Sequence, residues 1–328
     1  MFHVSISQLT TTRWELPEEI ARLADHGFDC LSLWRPKLSE IGHVTAARLL
    51  AEAGMRVSSL QWAGGFTGGD GRTFAESIND AAEAIDAAGL LGAPVLVVHS
   101  GCRGGHTRAH ARRLLTEALE TLFPLARDAG VTLAVKPLHA AASAGCSFLT
   151  RAVDALEIAE DLATPAVRVA IDLWQFGDDP ELVRLLPRLA AATAVVQVAD
   201  RIGPPTADLE RLPVGRGMLP LQQLVMGLID HGYGGDFEFD PVGEAVAAIG
   251  YERVLEETRQ VADSWRKAVE QRLDWNRAAA FVWQTVGLRS RLAGAAGTGF
   301  DHLLRGGLQF RSAGSRRSHA SSQTVSRG

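Results

Sequence analysis

Four short apolar segments of this sequence each end in a side chain that could take part in chemistry. They end at Lys136 in VTLAVK, Asp172 in VRVAID, Gln197 in TAVVQ and Asp240 in DFEFD. In each segment bulky residues alternate with small or polar ones, and this period of two predicts a strand with two different faces. Carboxylates at such positions can transfer protons, and a lysine can polarise or attack a carbonyl group.

The segments between these strands have the length and leucine spacing of helices, so strands and helices alternate along the chain. Parallel strands wrapped by helices pack one face on the helices and fill a barrel lumen with the other. The chemistry of such barrels lies at the C-terminal ends of the strands. We therefore expect the four side chains to converge at one mouth of a barrel.

Eight strand–helix units occupy about 265 residues, the usual size of a barrel of this kind. The predicted strands read HVSIS, FDCLSLW, RVSSLQ, PVLVVHS, VTLAVK, VRVAID, TAVVQV and DFEFD. The sequence thus predicts an α/β fold, a (β/α)8 TIM barrel, over residues 1–270. The alternative, a doubly wound open sheet, needs a glycine fingerprint after the first strand, where this chain reads TTTRWE.

The remaining residues, 271–328, are rich in Ala, Gly, Ser and Arg and end in GSRRSHASSQTVSRG. This composition predicts a basic tail that is largely disordered, with one short helix in AAAFVWQTVGLRSRL. Such a tail could bind RNA or an acidic surface, and a solvated extension without function is the simpler interpretation.

Composition restricts the partners and the location of the chain. The net charge is −5, and acidic residues predominate before the tail, so we expect no nucleic acid on the barrel. Cys30, Cys102 and Cys146 lack C-x-x-C spacing, which favours reduced thiols and a cytoplasmic location. The sequence has neither a signal-like N-terminus nor a long apolar run, so we expect no membrane partner. A homo-oligomer is compatible with the sequence.

The motifs at the ends of strands four to eight carry a resemblance to a known family. They read VVHSGCRGGHTRAHARRLL, LAVKPLH, AIDLWQ, VVQVADR and GYGGDFEFDPVGE. Over about residues 1–265 the chain resembles the sugar phosphate isomerase/epimerase family, the xylose isomerase-like TIM barrels related to endonuclease IV. The resemblance implies isomerase or epimerase activity in carbohydrate metabolism and names no substrate.

The resemblance also implies a divalent metal, such as Mn, Mg, Zn or Co, held by Glu, Asp, His and Glu on strands five to eight. The two glutamates of this pattern also shuttle a proton beside the substrate carbonyl. In this sequence the four positions are Lys136, Asp172, Gln197 and Asp240, and a histidine often found after the strand-six aspartate is Gln175. Because an ammonium group has only hydrogen-bond donors and repels a cation, Lys136 cannot be a ligand while it is protonated.

Charge balance suggests a different occupant of this position. Three carboxylates and a divalent cation sum to −1, and so do the ammonium of Lys136 and the carboxylates of Asp172 and Asp240. We therefore hypothesise that the Lys136 ammonium takes the place of the metal between the two aspartates.

Three functions are consistent with this substituted site. The first is an isomerase or epimerase acting on a small keto sugar or polyol, in which Lys136 polarises the carbonyl and Asp240, Glu238 or His99 moves the proton. The second is a binding or regulatory barrel that recognises a sugar-like ligand without turning it over. The third is Schiff-base chemistry of the lyase or aldolase type on Lys136, which a salt bridge to aspartates opposes by keeping the lysine charged.

Further candidates lie near the predicted mouth, and each has a structural alternative. His99 ends strand four and could be an acid, a base or a hydrogen-bonded core residue. Arg103 in GCRGGH could cradle an anion together with backbone N–H groups, or its glycines could serve only a tight turn. Arg201 resembles a substrate-binding arginine of the family, and a brace with Asp200 is the alternative.

Aromatic and polar groups at the same end could contact a sugar. Trp34 and Gln61 lie where stacking and hydroxyl-binding groups would be useful, and His139 matches a histidine of the family motif. Glu238 lies one layer deeper than Asp240, where an unpaired acid is costly, so we expect it as a second partner of Lys136.

Overall fold

The first and last strands of the sheet pair with each other, so the sheet closes on itself. In the computed structural model, which describes residues 2–143 and 145–272, eight parallel strands follow one another around a barrel in chain order. The strands are β1 (His3–Ser7), β2 (Cys30–Trp34), β3 (Arg56–Gly64), β4 (Val95–His99), β5 (Thr132–Lys136), β6 (Val167–Asp172), β7 (Thr193–Val198) and β8 (Asp236–Phe239). The predicted fold is confirmed.

Helices connect the strands and cover the outside of the barrel. They are α1 (Leu16–Asp25), α2 (Arg35–Leu38), α3 (His43–Glu52), α4 (Phe74–Leu90), α5 (Arg108–Asp128), α6 (Ala152–Leu162), α7 (Leu173–Phe176), α8 (Pro180–Ala192), α9 (Leu221–Asp230) and α10 (Glu244–Ile249). Residues 251–272 form a further helix. The short helices α2 and α7 were not predicted, because a single turn is too short to show a helical period. The Asp172 carboxylate caps α7 by accepting a hydrogen bond from the Trp174 N–H at 3.0 Å.

The alternation of side chains along each strand separates the outer core from the lumen. Val167, Val169 and Ile171 of β6 belong to the large cluster between strands and helices. Ala134 and Ala170 face inward with valines of neighbouring strands. This inward face is the one on which the predicted site residues lie, so the period of two in the sequence positions the site.

Close packing of β3 on β4 needs a glycine at the mouth. Gly64 pairs with His99 and has a φ of 134°, and a Cβ added there would lie 1.9 Å from the His99 carbonyl oxygen. A side chain at this position would therefore displace His99, which lines the mouth.

The predicted tail begins at residue 271, but residues 271 and 272 belong to the last described helix, and residues 273–328 lie outside the described residues. Residues Met1–Arg272 form one compact unit. Within the described part of the chain, no helix combines the length and the apolar character needed to cross a membrane.

Candidate functional site

The C-terminal ends of β5, β6 and β7 bring three of the predicted residues into direct contact. The Lys136 Nζ lies 2.9 Å from Asp172 Oδ2 and donates a second hydrogen bond to Gln197 Oε1. Lys136 is 6% exposed and Asp172 is fully buried. The lysine is therefore held in place by one ion pair and one neutral acceptor.

An arginine that the sequence analysis missed completes the cluster. Arg211, in the loop between β7 and α9, lies 2.7 Å from Asp172 Oδ2 and 2.8 Å from Asp240 Oδ2. Its backbone exchanges two hydrogen bonds with Val242, and its guanidinium carbon lies 4.8 Å from the centre of the Trp174 ring. The loop position is thus fixed by backbone pairing and by a cation–π contact.

Arg211 corrects the hypothesis that Lys136 lies between both aspartates. Lys136 pairs with Asp172, whereas the partner of Asp240 is Arg211. The segment around Arg211, LERLPVGRG, has no strand or helix period, so the pattern of the sequence could not place it. The signal that could have found it is charge balance, since one lysine beside two aspartates leaves a buried carboxylate without a cation.

The two aspartates of the cluster have opposite pKa shifts. Burial acts to raise the pKa of Asp172, but Arg211 and Lys136 outweigh it and hold that pKa well below its usual range. Burial raises the pKa of Asp240 to about 7, with Arg211 opposing the shift and Asp172 adding to it. Neighbouring carboxylates whose environments separate their pKa values are typical of acid–base sites.

Glu238 acts on the cluster from the layer below. It is fully buried, and its carboxylate accepts hydrogen bonds from Ser58 (2.7 Å), Ser59 (2.5 Å), Gln61 (3.0 Å) and Gln197 (3.2 Å). Burial raises the pKa of Glu238, and the hydrogen bonds oppose that shift. By accepting from Nε2 of Gln197, Glu238 turns the amide oxygen toward Lys136. The expectation that Glu238 is itself a partner of Lys136 was wrong, because it contacts the lysine only through Gln197.

Several polar atoms near the mouth are buried without a hydrogen-bond partner among the described residues. They include Asp240 Oδ1, His99 Nδ1, Gln175 Nε2 and Trp34 Nε1. The four residues stand at or just beyond the C-terminal ends of β8, β4, β6 and β2. Burial lowers the pKa of His99 to about 3, with Lys136 adding to the shift, so this imidazole is neutral. Because these atoms are buried, a ligand can form hydrogen bonds to them only after neighbouring side chains move.

Other predicted residues lie away from the cluster. Arg201 is buried and donates to the Trp174 carbonyl at 2.7 Å, to the Gly203 carbonyl and to Asp178, so its guanidinium braces the loop. The backbone N–H of His139 donates to Gln175 Oε1 at 2.9 Å. Arg103 is exposed and does not line the cavity at the ends of β2, β3 and β4. Gln61 belongs to the Glu238 network rather than to the open mouth.

A cavity of about 630 Å³ lies beside the cluster, at the ends of β2, β3 and β4. His99 and Trp62 form part of its wall, with their ring centres 5.3 Å apart. Because His99 pairs with Lys136 in the register of β4 and β5, the cavity adjoins the charged cluster at this histidine.

The donor set of the cluster does not fit a divalent ion. Both oxygens of Asp172, one oxygen of Asp240 and the amide oxygen of Gln197 are already bonded to Lys136 or Arg211. Within residues 2–143 and 145–272, no group of three or more His, Cys, Asp or Glu side chains is placed to hold a metal. The two side-chain cations take the oxygen atoms that an ion would need.

Comparisons with known proteins agree with this architecture. A family model described as xylose isomerase-like TIM barrel matches residues 20–275. The chain is 28% identical to protein SMc04130 from Sinorhizobium meliloti 1021, with a TM-score of 0.71, over 80% of this chain and 97% of that one. No curated protein sequence matches the chain.

Two more distant solved structures show likeness of fold alone. One is the IolI protein with a bound zinc atom, 15% identical with a TM-score of 0.71, over 80% of this chain and 98% of that one. The other is D-psicose 3-epimerase with D-tagatose from Clostridium cellulolyticum H10, 13% identical with a TM-score of 0.65, over 81% and 99%.

Proposed function

Because this chain belongs to the xylose isomerase-like TIM barrel family, we propose that it is a sugar isomerase or epimerase that works without a resident divalent ion. Its substrate is a small keto sugar bound at the C-terminal mouth. The observation that carries the proposal is the pairing of Lys136 and Arg211 with Asp172 and Asp240 at the centre of the mouth. Two fixed cations there supply the positive charge that a developing enolate oxygen requires.

Lys136 is the group that polarises the carbonyl in this proposal. A lysine ammonium has three N–H donors, and among the described residues two of them reach Asp172 and Gln197. The third can donate to a carbonyl oxygen of the substrate. Asp172 and Gln197 orient the ammonium, and Glu238 holds Gln197 in turn.

Asp240 is the group that moves the proton. Its Oδ2 is bonded to Arg211, and its Oδ1 has no partner among the described residues, so one oxygen is available to take a proton from the carbon beside the carbonyl. Asp240 then returns the proton it took to the enediolate, and His99, neutral and next to Lys136 in the β4–β5 register, can form a hydrogen bond with a substrate hydroxyl on the same side of the mouth. Since Asp240 is 2% exposed, neighbouring side chains must shift for substrate to reach it.

The test is exchange of substrate protons with solvent. Keto sugars such as fructose, psicose and tagatose are incubated with the protein in D2O after EDTA treatment, and deuterium at the carbon beside the carbonyl is followed by NMR. We expect incorporation with the parent protein and its loss in Asp240→Asn. Incorporation that requires added metal would contradict the proposal.

A second function is favoured by the burial of the cluster. Every cation and most oxygens of the cluster are bonded, and Asp240 is buried, so substrate cannot touch it without movement of neighbouring side chains. A barrel that binds a sugar and does not turn it over would have this property. Binding of a keto sugar without deuterium incorporation would establish this function in place of the first.

Schiff-base chemistry on Lys136 is the least favoured alternative. The ion pair with Asp172 stabilises the charged amine, whereas a nucleophilic lysine must be neutral. Borohydride trapping of a substrate on Lys136 would be needed to support it.

A further inference from the structure

The cavity beside the cluster is larger than a single small sugar requires. Its volume of about 630 Å³ lies within the range of about 300–1,000 Å³ that is usual for pockets of drug-sized ligands. A hexose has twelve non-hydrogen atoms and would leave much of this space to solvent. Resting on the proposed function, we infer that the keto sugar is part of a neutral glycoside with a second ring, and that this second ring occupies the cavity against Trp62.

Trp62 has the properties of a stacking surface. It is 41% exposed, and it lines the cavity one residue beyond the buried Gln61. Arg35 donates to the Trp62 carbonyl at 3.1 Å, and His99 lies against the ring. An indole that is fixed on one side and open on the other can stack on a flat ring or on the apolar face of a sugar.

The position of His99 connects the second ring to the reacting carbon. His99 lines the cavity and is paired with Lys136 across β4 and β5. A ligand that extends from Lys136 to Trp62 would therefore pass His99. The linkage between the two rings would lie at this histidine.

The charges in the cavity wall favour a neutral ligand over a phosphorylated one. Arg35 is paired with Asp80 at 2.8 Å, and Arg72 is paired with Asp70 at 2.7 Å and with Asp80 at 3.0 Å. Both arginines of the described wall are thus neutralised by two aspartates. A phosphate group would have to displace these carboxylates, whereas hydroxyl groups can bond to them as they stand.

The inference is tested by equilibrium binding measured by calorimetry. The probes are both anomers of 4-nitrophenyl glucopyranoside, both anomers of methyl glucopyranoside, and glucose 6-phosphate. We expect a nitrophenyl glycoside to bind about threefold to tenfold more tightly than the matching methyl glycoside. One aromatic contact strengthens binding by about this factor. Trp62→Ala should remove this preference and Trp62→Phe should retain most of it. Leu125→Ala, which removes an exposed apolar side chain on α5, should change nothing.

The outcomes separate this inference from the proposed function. Equal binding of nitrophenyl and methyl glycosides, or tighter binding of glucose 6-phosphate, would overturn the second-ring inference. Deuterium exchange into keto sugars would still stand as evidence for catalysis in that case. A nitrophenyl preference that survives Trp62→Ala would also overturn the inference, because the second ring would then lie elsewhere.

Discussion

Arg211 reaches Asp240 through a single 2.8 Å hydrogen bond to Oδ2, and Oδ1 of the same carboxylate has no partner among the described residues. The same guanidinium bonds to both oxygens of Asp172. One loop residue therefore stabilises two buried acids to different extents. Asp172 is fully bonded as a carboxylate, and Asp240 keeps one oxygen for other partners.

Removing Arg211 should destabilise the fold strongly. Arg211→Ala leaves a buried carboxylate without its cation, and breaking a buried pair in this way costs about 3–5 kcal/mol. Arg216→Ala is the matched control, because Arg216 lies in the same loop and pairs with Glu257 on the surface. Exposed pairs contribute less than about 1 kcal/mol. Urea denaturation of both variants measures the difference, and equal losses would show that the Arg211 pairs contribute little.

Stability should fall on acidification because of His99. Its pKa is lowered by burial to about 3 in the folded chain, with Lys136 and Arg211 adding to this shift and Asp172 opposing it. In the unfolded chain a histidine titrates near its ordinary value of about 6.5. The unfolded state therefore binds a proton between these values when the folded state does not. The stabilising contribution is present above about pH 6.5 and is lost as the pH falls toward 3.

The measurement is the free energy of unfolding as a function of pH for the parent and for His99→Gln. The histidine contributes a slope of at most about 1.4 kcal/mol per pH unit, and the variant should lack this part. Identical slopes between pH 4 and 6 in the two proteins would contradict the assignment of a neutral, buried imidazole.

Glu238 should matter for stability although it is remote from solvent. Glu238→Gln replaces an acceptor of four hydrogen bonds by a side chain with one acceptor oxygen, so at least one buried donor loses its partner. Such a loss costs about 1–3 kcal/mol. Glu120→Gln on the exposed face of α5 is the control and should lie within about 0.5 kcal/mol of the parent. If Glu238→Gln and Glu120→Gln have the same free energy of unfolding, the Glu238 network does not hold Gln197 in place.

The strand pattern predicted the fold and much of the cluster. Asp172 and Lys136 end strands whose period of two is plain in the sequence, and parallel strands in a barrel must bring such ends together. The positions of these residues at strand ends could not predict which aspartate pairs with Lys136. Whether Lys136 contacts one aspartate or two depends on side-chain reach and on the loop that carries Arg211.

The sequence could not predict the different contacts that Arg201 and Arg211 make. Both lie in the long loop after β7, and only tertiary contacts decide that Arg201 braces Asp178 while Arg211 enters the cluster. Backbone pairing of Arg211 with Val242 sets this choice, and no local period encodes that pairing. Similarly, the hydrogen bonds that attach Gln61 to Glu238 join residues far apart in the chain.

The most direct test of the account is elemental analysis of the purified protein. The chain is incubated with Mn, Mg, Zn and Co, passed through gel filtration and assayed for bound metal alongside Asp172→Asn. Because Lys136 and Arg211 occupy the carboxylate oxygens, we predict much less than one metal per chain in both proteins. One tightly held ion per parent chain that Asp172→Asn abolishes would contradict the account.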